Sequence, residues 1–283
     1  MMTEIGKYNT LEIVKELDFG LYLDGKELGE ILLPKRYVPV NVSIGDSIEV
    51  FIYHDSEDRI IATTEMPNAI VGDFALMQVI AVNQVGAFLD WGLKKDLLVP
   101  FREQKKKMEE GNSYVVFVYL DSESKRIVAS AKLDKFLDNI PAEFEINQEV
   151  DLLIIDKTDL GYKAIINQTH SGMLYENEVF IPLKRGMKVK GFIKNIREDE
   201  KIDLYLQKAG FEKVDDFAEI FIKYLSDNKG FTVITDKSPS EKIYDTFGVS
   251  KKTFKKSIGA LYKKRIISIE ENGIKLISKP EKH

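Results

Sequence analysis

Apolar and polar residues alternate along much of the first 210 residues, in short runs that are typical of half-buried β-strands. One such run covers residues 48–52 and another covers residues 114–118. Gly, Asp, Asn and Ser lie between the runs, and these residue types favour turns. The pattern predicts an all-β region made of short strands.

A pair of glycines separated by 25 residues occurs three times in this region, which indicates an internal repeat. The pairs are Gly20 and Gly45, Gly86 and Gly111, and Gly161 and Gly186. A phenylalanine follows every pair at the same distance, and we expect these three rings in barrel cores: Phe51, Phe117 and Phe192. Each repeat spans about 65 residues, a size at which closing the sheet into a barrel hides its edges. We therefore predict three small β-barrels in series.

Helical spacing appears in two other parts of the chain. Between the second and third repeats, apolar residues at 133, 136, 137 and 140 precede Pro141 and predict a short connecting helix that ends before the proline. After residue 210, apolar spacing predicts helices near 214–225 and 240–247, and a third helix that Ser250 caps. The buried stripe of the third helix is expected to contain Phe254, Ile258, Leu261 and Tyr262. Residues 266–277 form a predicted hairpin with Asn272 and Gly273 at its tip, so this domain is expected to be a winged helix.

The segments Phe19–Asp24 and Val85–Asp90 resemble the second strand of the ribosomal protein S1 type of RNA-binding domain. This resemblance implies a five-stranded OB-fold barrel. It also implies that aromatic rings on either side of the glycine stack on bases, that a third ring lies on the next strand, and that an aspartate and an arginine stand close together near the last two strands.

Carried over to the first repeat, the resemblance predicts binding by the rings of Phe19 and Tyr22 and by the pair Asp55 and Arg59. Pro34 stands where the family commonly has a histidine, and the two basic residues after it are candidates to replace that histidine: Lys35 and Arg36.

The second and third repeats keep less of the pattern. The second repeat has Val85 at the first ring position and Pro100 at the histidine position, and its candidate residues are Phe88, Phe101, Arg102, Asp121 and Arg126. In the third repeat, spacing places Ile196 at the acid position, and non-aromatic residues take both ring positions. Its remaining candidates are Tyr175 and Lys201.

The order of three such barrels and a winged helix resembles the conserved virulence factor B family of bacterial RNA-binding proteins. The expected fold class is multidomain, mainly β and then α+β, with three tandem five-stranded S1-type OB barrels before a winged helix. The expected domains are residues 1–68, 69–132 and 146–210 for the barrels, 133–145 for the connecting helix or linker, and 211–283 for the winged helix. The family implies RNA binding and a regulatory role upstream of other genes.

Four lysines crowd the first half of the third predicted helix, at Lys251, Lys252, Lys255 and Lys256. In helix-turn-helix proteins this part of the helix contacts nucleic acid. An ordinary solvated helix face would look the same, and winged helices also bind proteins.

Charge and composition narrow the class of protein. The chain of 283 residues has a net charge of -5, divided into -9 over residues 1–210 and +4 over residues 211–283. It has no cysteine, and its three histidines are far apart in the repeat scheme. It also has no glycine loop of the phosphate-binding type and no serine motif of the hydrolase type, so no metal, cofactor or catalytic site is expected. The enzymatic alternative is a nuclease that uses carboxylates and magnesium. No signal peptide or membrane span is recognisable, and we expect a cytoplasmic protein.

Three hypotheses remain open from the sequence. The leading one is a non-enzymatic, monomeric protein that regulates gene expression by binding single-stranded RNA through barrel rings and the basic winged helix. The second is a DNA-binding transcriptional regulator that uses the third helix. The third is an interaction scaffold whose candidate partners are the ribosome and RNA polymerase.

Overall fold

The structure, a computed structural model, describes residues 2–179, 181–206 and 214–277, with no description of the side chains of residues 214–216. Within these ranges it contains three five-stranded barrels, two closed and one nearly closed, followed by a winged-helix domain. The predicted fold class is therefore confirmed.

The first barrel closes in the strand order β1-β2-β3-β5-β4, and β3 and β5 form its parallel pair. Its core lies between Leu11, Ile13, Leu23, Val50 and Ile52, which alternation along the strands turns inward. Its strands are β1 (Tyr8–Leu17), β2 (Gly20–Asp24), β3 (Glu30–Pro34), β4 (Ser47–His54) and β5 (Ile60–Thr63).

The other two barrels repeat this connectivity. The second is a five-stranded sheet in the order β10-β9-β6-β7-β8, and the third closes with β13 parallel to β15. The second consists of β6 (Phe74–Val82), β7 (Gly86–Leu89), β8 (Leu97–Pro100), β9 (Ser113–Leu120) and β10 (Ile127–Ser130). The third consists of β11 (Glu149–Thr158), β12 (Gly161–Ile166), β13 (His170–Tyr175), β14 (Lys188–Ile196) and β15 (Ile202–Tyr205).

The first glycine of each repeat is required by a close backbone contact. A Cβ atom at Gly20 would lie 2.2 Å from the carbonyl oxygen of Leu33, and one at Gly161 would lie 2.0 Å from that of Leu174. Gly86 makes the equivalent contact in the second barrel. Since no side chain fits there, the glycine lets the start of the second strand of each barrel approach the end of the third closely.

The equally spaced phenylalanines do not fill the cores of their own barrels, and this prediction was wrong. Phe51 is buried, but it lies on the opposite face of β4 from the core residues Val50 and Ile52. Its ring packs edge to face against that of Trp91 of the second barrel, with ring centroids 5.6 Å apart. Phe117 and Phe192 are only partly buried. The alternation predicted from the sequence is present along β4. The outward face of this strand is nevertheless buried, because the second barrel covers it, and the spacing of residues along the sequence does not reveal that contact.

An aromatic junction joins the first two barrels. Phe51 and Tyr53 pack with Trp91 in the same buried cluster as the core of the second barrel. The Trp91 Nε1–H donates to the carbonyl oxygen of Ala69 at 2.8 Å, so the polar atom of this ring is satisfied inside the junction. The two barrels consequently share apolar surface.

The connecting segment is not the helix that its spacing predicts. It contains one 3-10 turn, Leu133–Lys135, and Asp138 adopts a left-handed conformation with φ 59°. That conformation interrupts a right-handed helix. The ring of Phe136 instead stacks on Phe117 with centroids 4.2 Å apart.

The winged-helix domain consists of three helices and a small sheet. The elements are α1 (Val214–Asp227), β16 (Phe231–Thr232), α2 (Ser240–Phe247), α3 (Lys251–Lys263), β17 (Ile267–Glu270) and β18 (Gly273–Leu276). The backbone N–H of Thr253 donates to the Ser250 Oγ at 3.1 Å, which confirms the predicted cap.

Two details of this domain differ from the prediction. The sheet has three strands because β16 pairs with β18, and the turn of the hairpin lies at Glu271 and Asn272. Tyr262 is 54% exposed instead of buried. It lies one residue beyond the buried Leu261, and each residue turns the helix by about 100°, which carries the ring away from the core.

The junction predicts a stability difference between two phenylalanines. We expect Phe51→Ala to lower the free energy of unfolding by about 3–5 kcal/mol, because it leaves a cavity against Trp91. Phe19→Ala, which removes an exposed ring, should change it by less than about 0.5 kcal/mol. Denaturant unfolding followed by circular dichroism and by the emission of Trp91, the single tryptophan of the chain, would measure both. Equal midpoints for the two variants would contradict the junction.

Candidate nucleic-acid interface

Two rings lie on the outer surface of the first barrel. Tyr22 is on β2 between Leu21 and Leu23, whose side chains are buried, so strand alternation turns Tyr22 outward. Phe19 immediately precedes the strand and is 54% exposed. The two rings are edge to face, with centroids 6.2 Å apart. The structure thus brings together the two rings that the sequence predicts.

Basic groups surround these rings. Lys15 on β1 is opposite Tyr22 in the strand register, and its Nζ lies 5.4 Å from the ring centroid. Lys35 and Arg36 are exposed in the 3-10 turn that follows β3. The backbone N–H of Lys35 donates to the carbonyl oxygen of Phe19 at 2.9 Å, which places this turn beside the rings. Lys15 was missed, although the antiparallel pairing of β1 with β2 was the signal that could have found it.

The pair Asp55 and Arg59 closes the turn between β4 and β5. The Arg59 Nε–H and Nη2–H donate to one Asp55 oxygen at 2.9 and 2.7 Å. Burial raises the pKa of the Asp55 carboxyl, but hydrogen bonds from the Arg59 side chain and from backbone N–H groups outweigh it and hold the pKa below its ordinary value. Arg59 also contacts Glu57 at 2.9 Å. Both partners therefore stabilise the turn.

The second barrel does not form the acid and base pair that the resemblance implies. Arg126 forms its ion pair with Asp58 of the first barrel, and Lys95 reaches the same carboxylate at 3.5 Å. Asp121 instead pairs with Arg102 at 3.3 Å and accepts a hydrogen bond from the Ser124 Oγ at 2.7 Å. Spacing aligned Arg126 with Arg59, but Asp58 competes for it across the junction.

The outer surface of the second barrel has a weaker ring pair. Phe88 on β7 is partly buried, and the exposed Val85 replaces the ring before the strand. Phe101 is 43% exposed, and its backbone N–H donates to the carbonyl oxygen of Val85 at 3.4 Å. Phe101 thus lies beside the position where the first barrel has its exposed ring.

In the third barrel, Tyr175 belongs to a network with groups that spacing did not identify. Its hydroxyl donates to Asp203 at 3.2 Å and accepts a hydrogen bond from Arg197. Arg197 pairs with the buried Asp203 at 2.9 Å, and its guanidinium carbon lies 5.9 Å from the tyrosine ring. The Lys194 Nζ lies 6.0 Å from that ring.

Backbone hydrogen bonds correct the alignment of the third repeat. Arg197 N–H donates to the carbonyl oxygen of Lys201 at 3.0 Å, as Asp55 N–H donates to that of Arg59 at 2.9 Å. Arg197, and not Ile196, therefore stands at the position of the acid. The side chain of Lys201 pairs with Asp199 at 2.6 Å.

Of the four lysines in the first half of α3, one is partly buried and hydrogen-bonded to the backbone, and three are exposed. Lys251 is partly buried, and its Nζ donates to the carbonyl oxygen of Ser238 at 2.7 Å. Lys252, Lys255 and Lys256 are exposed, and α3 contains no acidic residue. The Lys255 Nζ lies 4.0 Å from a carboxylate oxygen of Asp236. The helix presents a basic surface.

The described ranges contain neither a metal-binding cluster nor a helix that could span a membrane. No group of three or more His, Cys, Asp or Glu side chains there is arranged to hold a metal ion. None of the helices in those ranges is both long and apolar enough to cross a membrane.

Comparisons with known proteins agree with this architecture. The S1 domain family matches residues 5–65 and 71–132, and the CvfB-like winged helix domain matches residues 219–276. The chain is 26% identical to the uncharacterized protein YitL of Bacillus subtilis over 95% of its length and 92% of that protein. It is 25% identical to conserved virulence factor B of Staphylococcus epidermidis over 83% of its length and 82% of that protein.

One solved structure is also similar over nearly the full length. It is a multidomain protein with nucleic acid binding domains from Streptococcus pneumoniae, 24% identical, which covers 96% of this chain and 98% of its own, with a TM-score of 0.42.

The fold and the matched domains define a nucleic-acid-binding class of protein, with S1 barrels followed by a winged helix. The predicted resemblance to the conserved virulence factor B family is confirmed.

The lowered pKa of Asp55 predicts a pH dependence of stability. A lowered pKa contributes stability that is present above the unfolded value, about 3.9, and is lost as the pH falls through the folded value. We expect Asp55→Asn to cost roughly 1 kcal/mol of unfolding free energy at pH 7, the low end for hydrogen bonds to a charged group because the site faces solvent. The difference from the unaltered protein should shrink as the pH falls below about 3.9 and be smaller at pH 3 than at pH 7. Denaturant unfolding at both pH values would measure it, with the exposed Asp18→Asn as control; a difference as large at pH 3 as at pH 7 would contradict the assignment.

Proposed function

We propose that this chain is a non-enzymatic cytoplasmic protein that binds single-stranded RNA as a monomer and regulates gene expression. The observation that carries the proposal is the half-exposed ring of Phe19 beside Tyr22, with Lys15 and Lys35 next to them. A phenylalanine exposed to water gains nothing from the barrel core, whereas it can stack on a ligand.

The chemistry of this surface suits an unpaired strand. A ring offers any base a flat π-face, and each stacked base contributes about 1–3 kcal/mol with little sequence preference. Bases of a duplex are stacked on one another and cannot reach such rings. The neighbouring ammonium and guanidinium groups can contact phosphates, which makes binding salt-dependent.

The basic helix α3 supports a second contact. Lys252, Lys255 and Lys256 lie in the first half of the third helix, the position at which helix-turn-helix proteins meet nucleic acid. The same observation favours a second candidate function, binding of duplex DNA by the winged helix. A regulatory role rests on the family resemblance and on the name of the staphylococcal relatives, and the ribosome or RNA polymerase would be the protein partners.

Removal of the two rings tests the proposal directly. We expect Phe19→Ala/Tyr22→Ala to weaken binding of a single-stranded RNA by at least about tenfold, since two stacking contacts are lost. The matched control is Leu160→Ala, which alters the equivalent position of the third barrel, where a 64% exposed leucine replaces the ring. Fluorescence anisotropy with single-stranded RNA, single-stranded DNA and duplex DNA of equal length, at two salt concentrations, would measure the affinities.

The outcomes separate the candidate functions. Unchanged RNA affinity in the ring variant would contradict a role for the first barrel. Preference for the duplex, lost only in Lys252→Ala/Lys255→Ala/Lys256→Ala, would favour the DNA-binding function. Absence of binding to all three nucleic acids would leave an interaction scaffold.

A further inference from the structure

Three exposed lysines follow one another in a loop of the second barrel. Lys105, Lys106 and Lys107 lie between β9 and the 3-10 turn Phe101–Glu103. Among the residues that the structure describes, no carboxylate oxygen lies within 4.0 Å of their amino groups. Three like charges in sequence repel one another, and nearby anions would relieve that repulsion.

The loop that carries them is held at both ends. The Gln104 Nε2–H donates to the carbonyl oxygen of Val99 at 3.0 Å, and the Gln104 Oε1 accepts from the backbone N–H of Met108 at 3.0 Å. Gln104 and Met108 are both buried. The backbone around the lysines is therefore shaped before any ligand arrives, which lowers the entropic cost of binding.

Within residues 101–107 the one acidic residue, Glu103, is turned inward, whereas Glu109 and Glu110, which follow Met108, are exposed. Glu103 is buried, accepts a hydrogen bond from the Ser130 Oγ at 2.6 Å and pairs with Lys135 at 3.0 Å. The side chains that face water are the ring of Phe101, Arg102 and the three lysines. The outward surface of residues 101–107 is thus a ring followed by four cations.

The first barrel has no such run of lysines at the equivalent positions. Counted from the equivalent prolines, Pro34 and Pro100, the positions of the three lysines are taken in the first barrel by Pro39, Val40 and Asn41. The scaffold of the barrel does not need lysine there. The charges also stand in a region, residues 1–210, whose net charge is -9.

We propose that Lys105, Lys106 and Lys107 form a phosphate-binding loop that holds the backbone of the RNA strand. The inference rests on the proposed function and assigns a different task to each of the first two barrels. The first stacks bases on a ring pair. The second, which lacks a ring at Val85, adds contacts to phosphates beside its remaining rings, Phe88 and Phe101.

The position of the loop relative to the outer rings supports this assignment. Gly86 pairs with Pro100, and Phe88 lies two residues further along β7, a distance of about 7 Å. Phe101 follows Pro100 directly, and the lysine loop continues from it. A strand that stacks on Phe88 and Phe101 would pass next to the three amino groups.

The test uses the full chain and a single-stranded RNA oligonucleotide. In Lys105→Gln/Lys106→Gln/Lys107→Gln, the slope of log affinity against log salt concentration should become shallower by about 2, since three phosphate contacts contribute roughly 0.7 each. Affinity should fall at least about tenfold at low salt and approach that of the unaltered protein at high salt. Lys105→Arg/Lys106→Arg/Lys107→Arg should keep the steep slope.

A second control has the same net charge as the glutamine variant. Lys26→Gln/Lys157→Gln/Lys190→Gln removes three lysines that are ion-paired to carboxylates at 2.5, 2.7 and 2.8 Å, so little effect on the slope is expected. Circular dichroism would verify the fold of each variant. An unchanged slope and affinity in the loop variant, with strong RNA binding by the unaltered protein, would overturn the loop assignment alone. Absence of RNA binding by the unaltered protein would overturn the proposed function and the loop assignment with it.

Discussion

A contact between two backbones determines where the candidate binding groups of each barrel lie. At Gly20, Gly86 and Gly161 the second strand lies so close to a carbonyl near the end of the third that any side chain would collide with it. Beside this contact, Phe19 and Tyr22 in the first barrel and Val85 and Phe88 in the second reach the outer surface, next to the turn that follows the third strand. Leu21 and Ala87, which directly follow the glycines, point into the core. In each barrel, the start of the second strand and the turn after the third strand therefore form one common region of the outer surface.

The three barrels use this common region differently. In the first, exposed rings lie among basic groups. In the second, a ring is lost, and Arg102 takes over the aspartate because Arg126 pairs with Asp58 across the junction. In the third, the region holds a tyrosine whose hydroxyl is bound to an arginine and a buried aspartate. Repetition of the scaffold therefore does not mean repetition of the site.

The sequence predicted features that depend on local spacing. Strand alternation, the recurrent glycines and the Ser250 cap are properties of neighbouring residues, and the structure contains them. Features that depend on a distant partner were not predicted. Nothing near Phe51 indicates that Trp91 will cover it, and nothing near Arg126 indicates that Asp58 will compete with Asp121. The helix predicted for the connecting segment is absent for a related reason. Phe136 stacks on Phe117 of the preceding barrel, a contact that the local sequence does not indicate.

The central claim is that single-stranded RNA lies on the outer faces of β2 and β7, and photo-crosslinking tests it most directly. A single-stranded RNA with photoreactive uridines would be irradiated with the intact protein, and the attached peptides would be identified by mass spectrometry. The account predicts crosslinks at Phe19, Tyr22, Phe88 or Phe101, which competitor RNA removes. Crosslinks confined to other parts of the chain would contradict it.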